Sequence, residues 1–477
     1  MNTPTVALPA PLIVTGPPVQ ALPPPIVIGM PTSDQTRAMR FAQWLDGDMR
    51  FIFAWKQWAF WSDAGWQIDE SGLQIKRRAL EFADLIMEEA EFQPQGNARQ
   101  NAIAQAFKLQ SNRNMESMIS LLKAMEGVTA RPTDFDANPY LIGVQNGCVN
   151  LRSGEFRKAE KADLILKKAG IAFDSAAKCP MWEKFLEQII PDKEVRDYVQ
   201  RAIGYSLTGM TTEQVLFFMY GTGQNGKSTF IETIEKLLGD YAWRTNATLF
   251  LETQYDRDKS NMLASLPERR FVVGAEMPDG ARLAENRIKD LTGGDKLNAR
   301  KLYCEAFNFT PTHKLWFYGN HKPIVGGTDE GIWRRLNVIP FEIHIPEEKR
   351  DRRILERLWA EAPGIFNWAL AGCLDWQKNG LSAPATVAAA TKEYREDEDL
   401  IGQFIDIEFQ RTGEIARGAF ASCFKLWLHE QGYKWTPHPR SIAERVRREP
   451  GVSERNRKWI GLSLRDPKAY RNTFSAT

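Results

Sequence analysis

Apolar residues change their period along the chain. Between about residues 213 and 345, short and nearly continuous apolar runs alternate with helical patterns. QVLFFMY (214–220), RRFVVGA (269–275), KLWFYGN (314–320) and NVIPFEI (337–343) predict buried strands, and KSTFIETIEKLLGD (227–240) predicts a helix that Gly239 stops. Buried strands alternating with helices are the signature of a parallel sheet in an α/β fold. Upstream, Leu80, Phe82, Leu85 and Ile86 recur at helical spacing beside an aromatic-rich stretch, FIFAWKQWAFWSDAGWQID. NPYLIGVQNGCVNLRSGEF predicts a hairpin, with NG and SG as turn signals. Downstream, ERLWAEAPGIFNWALAGCLDW predicts a helix and LSAPATVAAATKEYREDEDL a connector containing one. FASCFKLWLHEQG and SIAERVRREPG predict two more helices, and NRKWIGLSL a strand.

These patterns divide the 477 residues into five parts. Residues 1–32 form a Pro-rich tail, expected to be extended and disordered; with no basic residue before Arg37 it makes a poor signal peptide. Residues 33–179 predict a mixed, mostly helical N-terminal domain, and 180–378 an α/β domain with a helical lead-in. Residues 379–396 form a connector, and 397–477 a small basic domain. A hydrophobic content of 43% and a charged content of 26% are ordinary for a globular protein, and a net charge of +2 moves the search for a polyanion partner to local patches. Cys148, Cys179, Cys304, Cys373 and Cys423 are scattered without a CxxC pair. That argues against a zinc ribbon or a disulfide framework and fits a reducing compartment. No apolar run is long enough to span a membrane.

The first predicted strand runs into GTGQNGKST and then into the helix, so Gly221, Gly226, Lys227 and Ser228 satisfy G-x-x-x-x-G-K-[ST] in the required strand–loop–helix setting. Such a loop (Gly221, Thr222, Gly223, Gln224, Asn225, Gly226, Lys227, Ser228, Thr229) curls its N–H groups toward phosphate oxygens at a helix N-terminus. The lysine reaches the β- and γ-phosphates, and the hydroxyl of Ser228 ligates Mg²⁺. The loop specifies a nucleoside triphosphate and not its use. Glu276, at the end of the second strand, is placed to polarise water or to assist Mg²⁺. Ala275 stands where a preceding magnesium acid would be, and alone Glu276 also reads as a turn acid. Asn320 ends the third strand, where an amide can meet the γ-phosphate; alone it also reads as a turn residue before proline. In GIWRRLNVIP, Arg334 and Arg335 precede a buried strand and need an anion, from this chain or another.

In the last part, Lys434, Arg440, Arg445, Arg447, Arg448, Arg455, Arg457, Lys458, Arg465, Lys468 and Arg471 outnumber the acids, with Tyr433, Trp435 and Trp459 interspersed. Helix–helix–strand with a basic second helix fits a winged-helix module that binds DNA, although a solvated basic face reads the same way.

The ordered series GTGQNGKST, VVGAE, NRIKDLTGGDKLNARKLY, KLWFYGNHKP and GTDEGIWRRLNVIPF resembles the superfamily 3 helicases of the phage, plasmid and poxvirus primase-helicase type, closely across 214–345 and more loosely across 135–213. The resemblance implies an AAA+-like P-loop ATPase core using ATP and Mg²⁺, with Lys227 and Ser228 as Walker A residues, Glu276 as Walker B acid and Asn320 as sensor. It further implies Lys289 as a second nucleotide sensor, and a channel hairpin in which Arg300 and Lys301 contact DNA. Arg445, Arg448 and Lys458 stand as DNA contacts of the C-terminal module. Arg335 and then Arg334 are the expected arginine finger, reaching a neighbouring subunit in a ring, usually a hexamer. The implied activity is 3′→5′ DNA unwinding on single-stranded or forked DNA in the replication of a phage, prophage or plasmid, in the cytoplasm of a bacterial host cell. A replication initiator, using ATP for assembly, is the alternative, and a packaging motor a third. A primase of the archaeo-eukaryotic type would need an acidic pair and a histidine; Asp46 and Asp48 form a D-x-D, but the first histidine is His313. A separately encoded primase is therefore the expected partner.

Overall fold

The computed structural model describes residues 32–252, 259–275, 277–302, 305–325, 330–433 and 437–470. The chain divides into two compact units, one comprising residues 1–150 and 155–168 and the other 151–154 and 169–477.

In the first unit, helix α1 (Asp34–Trp44) precedes strands β1 (Met49–Ile52), β2 (Gln57–Ser62) and β3 (Gly65–Asp69). Helices α2 (Leu73–Glu91), α3 (Asn97–Leu109) and α4 (Asn112–Leu122) follow, then β4 (Thr129–Ala130), β5 (Leu141–Val144), β6 (Gly147–Asn150) and β7 (Phe156–Arg157). The sheet order is β3-β2-β1-β4. Alternation sorts its aromatic-rich strands onto two faces. Phe51 and Trp58 pack with Phe41, Phe82 and Met118 from the helices, whereas Ile52, Ala59 and Trp66 form a second cluster with Phe135. The Asp69 carboxylate accepts from the N–H groups of Leu73, Gln74 and Ile75 at 2.9–3.2 Å, which starts α2. Strands β5, β6 and β7 form an antiparallel sheet within NPYLIGVQNGCVNLRSGEF.

The second unit opens with helices α5 (Pro180–Ile189) and α6 (Lys193–Leu207). Then come β8 (Leu216–Tyr220), α7 (Lys227–Leu238), β9 (Ala242–Asn246), α8 (Lys259–Leu263), β10 (Phe271–Ala275), α9 (Glu285–Thr292), β11 (Leu297–Arg300), β12 (Ala306–Phe309), β13 (Lys314–Gly319), α10 (Glu330–Trp333) and β14 (Leu336–Pro340). Five strands form a wholly parallel sheet in the order β14-β8-β13-β10-β9. Both faces are covered, which is why the strands read as continuous apolar runs. Phe217 and Trp316 stack at 4.4 Å on the face shared with Tyr198 of α6 and Phe230 of α7. Phe218, Val272, Leu315, Phe317 and Val338 pack on the other with Ile288 of α9. Strand β9, on the sheet edge, has no counterpart among the strands read from sequence.

Helices α11 (Ile354–Ala360), α12 (Ala362–Asn379), α13 (Ala385–Glu398) and α14 (Leu400–Glu408) follow. The last part holds β15 (Phe409–Gln410), β16 (Glu414–Ala416), α15 (Arg417–Glu430), α16 (Pro439–Arg447), β17 (Ser453–Arg455), β18 (Lys458–Ile460) and β19 (Ser463–Leu464). Phe404, Phe420, Phe424, Val446 and Trp459 share its core.

Candidate nucleotide and nucleic-acid site

The register aligns the carboxyl ends of the central strands: Tyr220 of β8 lies opposite Gly319 of β13 and Pro340 of β14. Chain-order neighbours β8 and β9 are separated in the sheet, so β8 lies at a switch in strand order, where open α/β sheets bind ligands. Gly221 to Thr229 leave the sheet at this edge. A Cβ on Gly221 would lie 2.1 Å from the Phe341 carbonyl, and Gly226, with φ +85°, would press one against Ile189. Asn225 fixes the loop from inside by donating to the Phe341 carbonyl at 2.8 Å. Gln224 takes the N–H of Ile345 on its carbonyl, and its side chain bonds Arg350. Thr222 and Ser228 are exposed, and Gly223 and Thr229 half-buried.

Lys227 is 4% exposed. Its ammonium donates to the Gly221 carbonyl (2.9 Å), to Asn225 Oδ1 (2.9 Å) and to Asn320 Oδ1 (3.3 Å). These are neutral oxygens, and burial lowers the ammonium to about 8. A buried cation bonded to neutral acceptors is a ready partner for an anion, and α7 begins at this residue, adding its N-terminal partial charge. The exposed hydroxyl of Ser228 is available as an oxygen ligand beside it. Glu276 follows β10 and lies outside the described residues. Asn320 is exposed and joined to the loop by the Lys227 bond.

The two arginines have different surroundings. Arg335 is 7% exposed and donates to Thr292 Oγ1 (3.1 Å), the Gly331 carbonyl (2.6 Å) and Gln214 Oε1 (3.4 Å). Arg334 is exposed and donates to the same Gln214 oxygen at 3.4 Å. Arg335, placed before Arg334 on sequence, is thus the one turned into its own chain, and Arg334 is the exposed one. Leu336 pairs with Leu216 at the amino end of β8, whereas Pro340 pairs with Tyr220 at the carboxyl end. At 3.3 Å per residue the arginines therefore sit roughly 15 Å along the strands from the 221–229 loop of the same chain.

Residues 38–191 match the family described as D5 N terminal like, and residues 219–335 match a family of unknown function, DUF5906. A "putative helicase" of Acanthamoeba polyphaga mimivirus is 28% identical over 307 residues, covering 60% of this chain and 32% of that protein. A "putative helicase" of Invertebrate iridescent virus 6 is 26% identical over 420 residues (78% and 41%), and a "putative primase" of African swine fever virus 24% over 296 (57% and 31%). The chain is thus similar over about a third of its length to the D5 N terminal like family, and over 57–78% of it to viral proteins named as helicases or primases, consistent with the D5-like primase-helicase type. The matches span about a third of the length of these relatives. The apo structure of the NrS-1 C terminal region has a TM-score of 0.45 at 12% identity over 87% of this chain and 95% of that one, too loose a likeness to carry weight.

The remaining candidates are spread over the chain. Lys289 is half-buried in the last turn of α9. Arg300 and Lys301 are exposed at the connected end of the β11–β12 hairpin, next to Leu302 at 68% exposure. Arg445, expected to contact DNA, has its guanidinium held by Asp399 (2.9 and 2.7 Å) and by Glu449 (2.7 Å). Arg447 and Arg417 converge on Glu454, and Lys458 pairs with Glu414. Arg448 is exposed, 3.9 Å from Glu330. Sequence counting missed this pairing because the partners are distant in the chain. It also missed the turn between β17 and β18, where Asn456 and Arg457 both take positive φ (+49° and +59°) and present Arg455 and Arg457 to solvent. Lys434, Trp435 and Arg471 lie outside the described residues. In the first unit, Asp46 and Asp48 are both tied to Lys161, at 3.4 and 2.6 Å. Among the described residues, no helix is long and apolar enough to cross a membrane, and no cluster of metal-ligating side chains occurs.

Proposed function

We propose that this chain is an ATP-driven DNA helicase of a viral or mobile-element replicon, built on an AAA+-like P-loop core and working 3′→5′ as a ring, with six subunits the expected number. The observation that carries the reading is the buried Lys227 ammonium, held by loop oxygens and by Asn320 from the neighbouring strand at the carboxyl edge of the sheet. Residues 221–229 would cradle ATP, Ser228 and Glu276 would hold Mg²⁺, Glu276 would orient water, and Lys289 would sense the nucleotide. Mg²⁺, when bound, would draw charge from the phosphate oxygens. Arg334 would meet the nucleotide of the next subunit. Arg300 and Lys301, with Arg455, Arg457 and Arg448 of the C-terminal part, would contact the DNA backbone. The names given to the relatives support this reading, and the chain would rely on a primase from a separate polypeptide.

The test is ATP turnover with and without single-stranded DNA, together with strand displacement from a fork. Wild type turns over faster with DNA and displaces strand. Lys227→Ala loses turnover, and Glu276→Gln binds ATP without hydrolysing it. Sequence-specific duplex binding without displacement would instead support the initiator.

A further inference from the structure

Residues 320–325 follow β13 at the carboxyl edge of the sheet, where the phosphate loop lies, and residues 330–335 precede β14 at the amino edge, where the arginines lie. One helix end grips them repeatedly. Lys322 bonds Asp397 at 2.9 Å, and its ammonium lies 5.1 Å from the ring of Tyr220, the residue before the phosphate loop, and 5.3 Å from that of Tyr394. The Tyr394 hydroxyl donates to the Pro323 carbonyl. The Val325 N–H donates to Glu398 at 3.0 Å and Arg395 pairs with Glu330, and just beyond, in β14, the Val338 N–H donates to Thr391 Oγ1 at 3.0 Å. All five holding residues belong to α13.

The next residue, Asp399, faces the other way. It accepts from the Gly402 N–H at 3.0 Å to start α14, and it takes the Arg445 guanidinium of α16. The approach depends on Gly402: a Cβ there would lie 2.3 Å from Asp399 Oδ2 and 2.8 Å from Arg445 Nη2. A cleft of about 720 Å³, lined by Glu330, Trp333, Arg395, Asp399, Arg445 and Arg448, occupies the same junction. Polar pairs around a wet cleft can exchange partners at little cost, unlike a packed apolar seam.

We propose that the end of α13, residues 391–399, is a positioning element that couples the nucleotide-sensing residues 320–325 and 330–335 to the C-terminal DNA-binding part through the Asp399–Arg445 pair. This rests on the function proposed above. Coupling is reciprocal: if nucleotide state changes how DNA binds, DNA changes nucleotide affinity by the same factor.

Two variants test it without removing a residue of the proposed nucleotide or DNA site. Asp399→Asn keeps the side-chain cap of α14 and loses the charge on Arg445. Gly402→Ala suits a helix better and forces Asp399 and Arg445 apart. In both, basal ATP turnover is expected to stay within about twofold of wild type, while DNA stimulation falls about fivefold or more, within the usual range of coupling energies. Amide exchange supplies the second measurement. A non-hydrolysable ATP analogue is expected to change exchange across residues 400–447 in wild type, and to change only the phosphate loop and 320–335 in the variants. Full DNA stimulation together with an unchanged exchange response in both variants would overturn the coupling. So would a basal turnover that falls in step with the stimulated rate, which marks a merely structural role. If the analogue fails to protect residues 221–229 in wild type, the helicase reading itself falls, and this inference with it.

Discussion

Burial of Lys227 without a balancing charge gives the phosphate loop a measurable pH signature. Burial lowers its ammonium from 10.5 to about 8, whereas a bound triphosphate would hold the proton on. Nucleotide binding above pH 8 must then take up a proton, so affinity is expected to fall by up to about tenfold per pH unit from about pH 8 upward. The stability of the free protein has the opposite sign. Between about 8 and 10.5 the unfolded chain binds the proton that the native lysine has released, so this residue's contribution makes stability rise with pH across that window. Titrating a fluorescent ATP analogue from about pH 7 to 9.5 reads the first effect, and Lys227→Arg, which stays charged, should flatten it. A flat wild-type profile would show that no anion needs this proton. At the same scale, motif order made Gly221–Thr229, Asn320 and the arginine pair legible in the sequence, because spacing along strands is local. Which arginine turns inward was not legible. Arg335 is buried by Thr292, Gly331 and Gln214, and two of these three lie 43 and 121 residues away.

Among the elements, the central strands were legible because a sheet covered on both faces needs uninterrupted apolar runs, as in Leu216–Tyr220. Strand β9 escaped because AWRTN, half-buried on the sheet edge, carries no such run. The pairing of α16 escaped for a related reason: Arg445 meets Asp399, 46 residues away, so a helix that is basic in sequence is partly neutralised in the fold. The hairpin after it differs. Its two-residue turn has positive φ at Asn456 and Arg457, a geometry that favours Asn-Gly, so the second position carries an arginine where glycine would cost less. Replacing Arg457 by Gly should leave the melting temperature unchanged or slightly higher, because the turn relaxes. If Arg457 meets a phosphate, the same change lowers the slope of log affinity against log salt by about 0.9 on duplex DNA or about 0.7 on a single strand. An unchanged slope on both would remove the hairpin turn from the DNA contact, and a lowered melting temperature would contradict the strain assigned to it.

For the whole molecule, the register of β14 on β8 decides what Arg334 can reach. It lies near the amino edge of the sheet, and the phosphate loop of its own chain lies at the carboxyl edge. An arginine that stabilises a transferring phosphoryl group from there has to do so on another copy of the chain, and a head-to-tail contact that closes makes a ring. Mixing experiments separate this from a structural role. Arg334→Ala should keep the wild-type melting temperature and lose most ATP turnover, since fingers of this kind contribute roughly 10³–10⁵ in rate. Arg335→Ala should instead lose about 1.5–3 kcal/mol of stability, because a buried guanidinium is taken from three acceptors. Lys227→Ala should be inactive through its own loop. When Arg334→Ala and Lys227→Ala subunits are mixed in equal amounts, some interfaces pair an intact loop with an intact arginine, about a quarter of them in a randomly mixed heterologous ring. Turnover should return to about that fraction of wild type. Mixed assemblies shown by native mass spectrometry to contain both variants, yet still inactive, would place Arg334 outside the reaction and leave the ring without its catalytic reason.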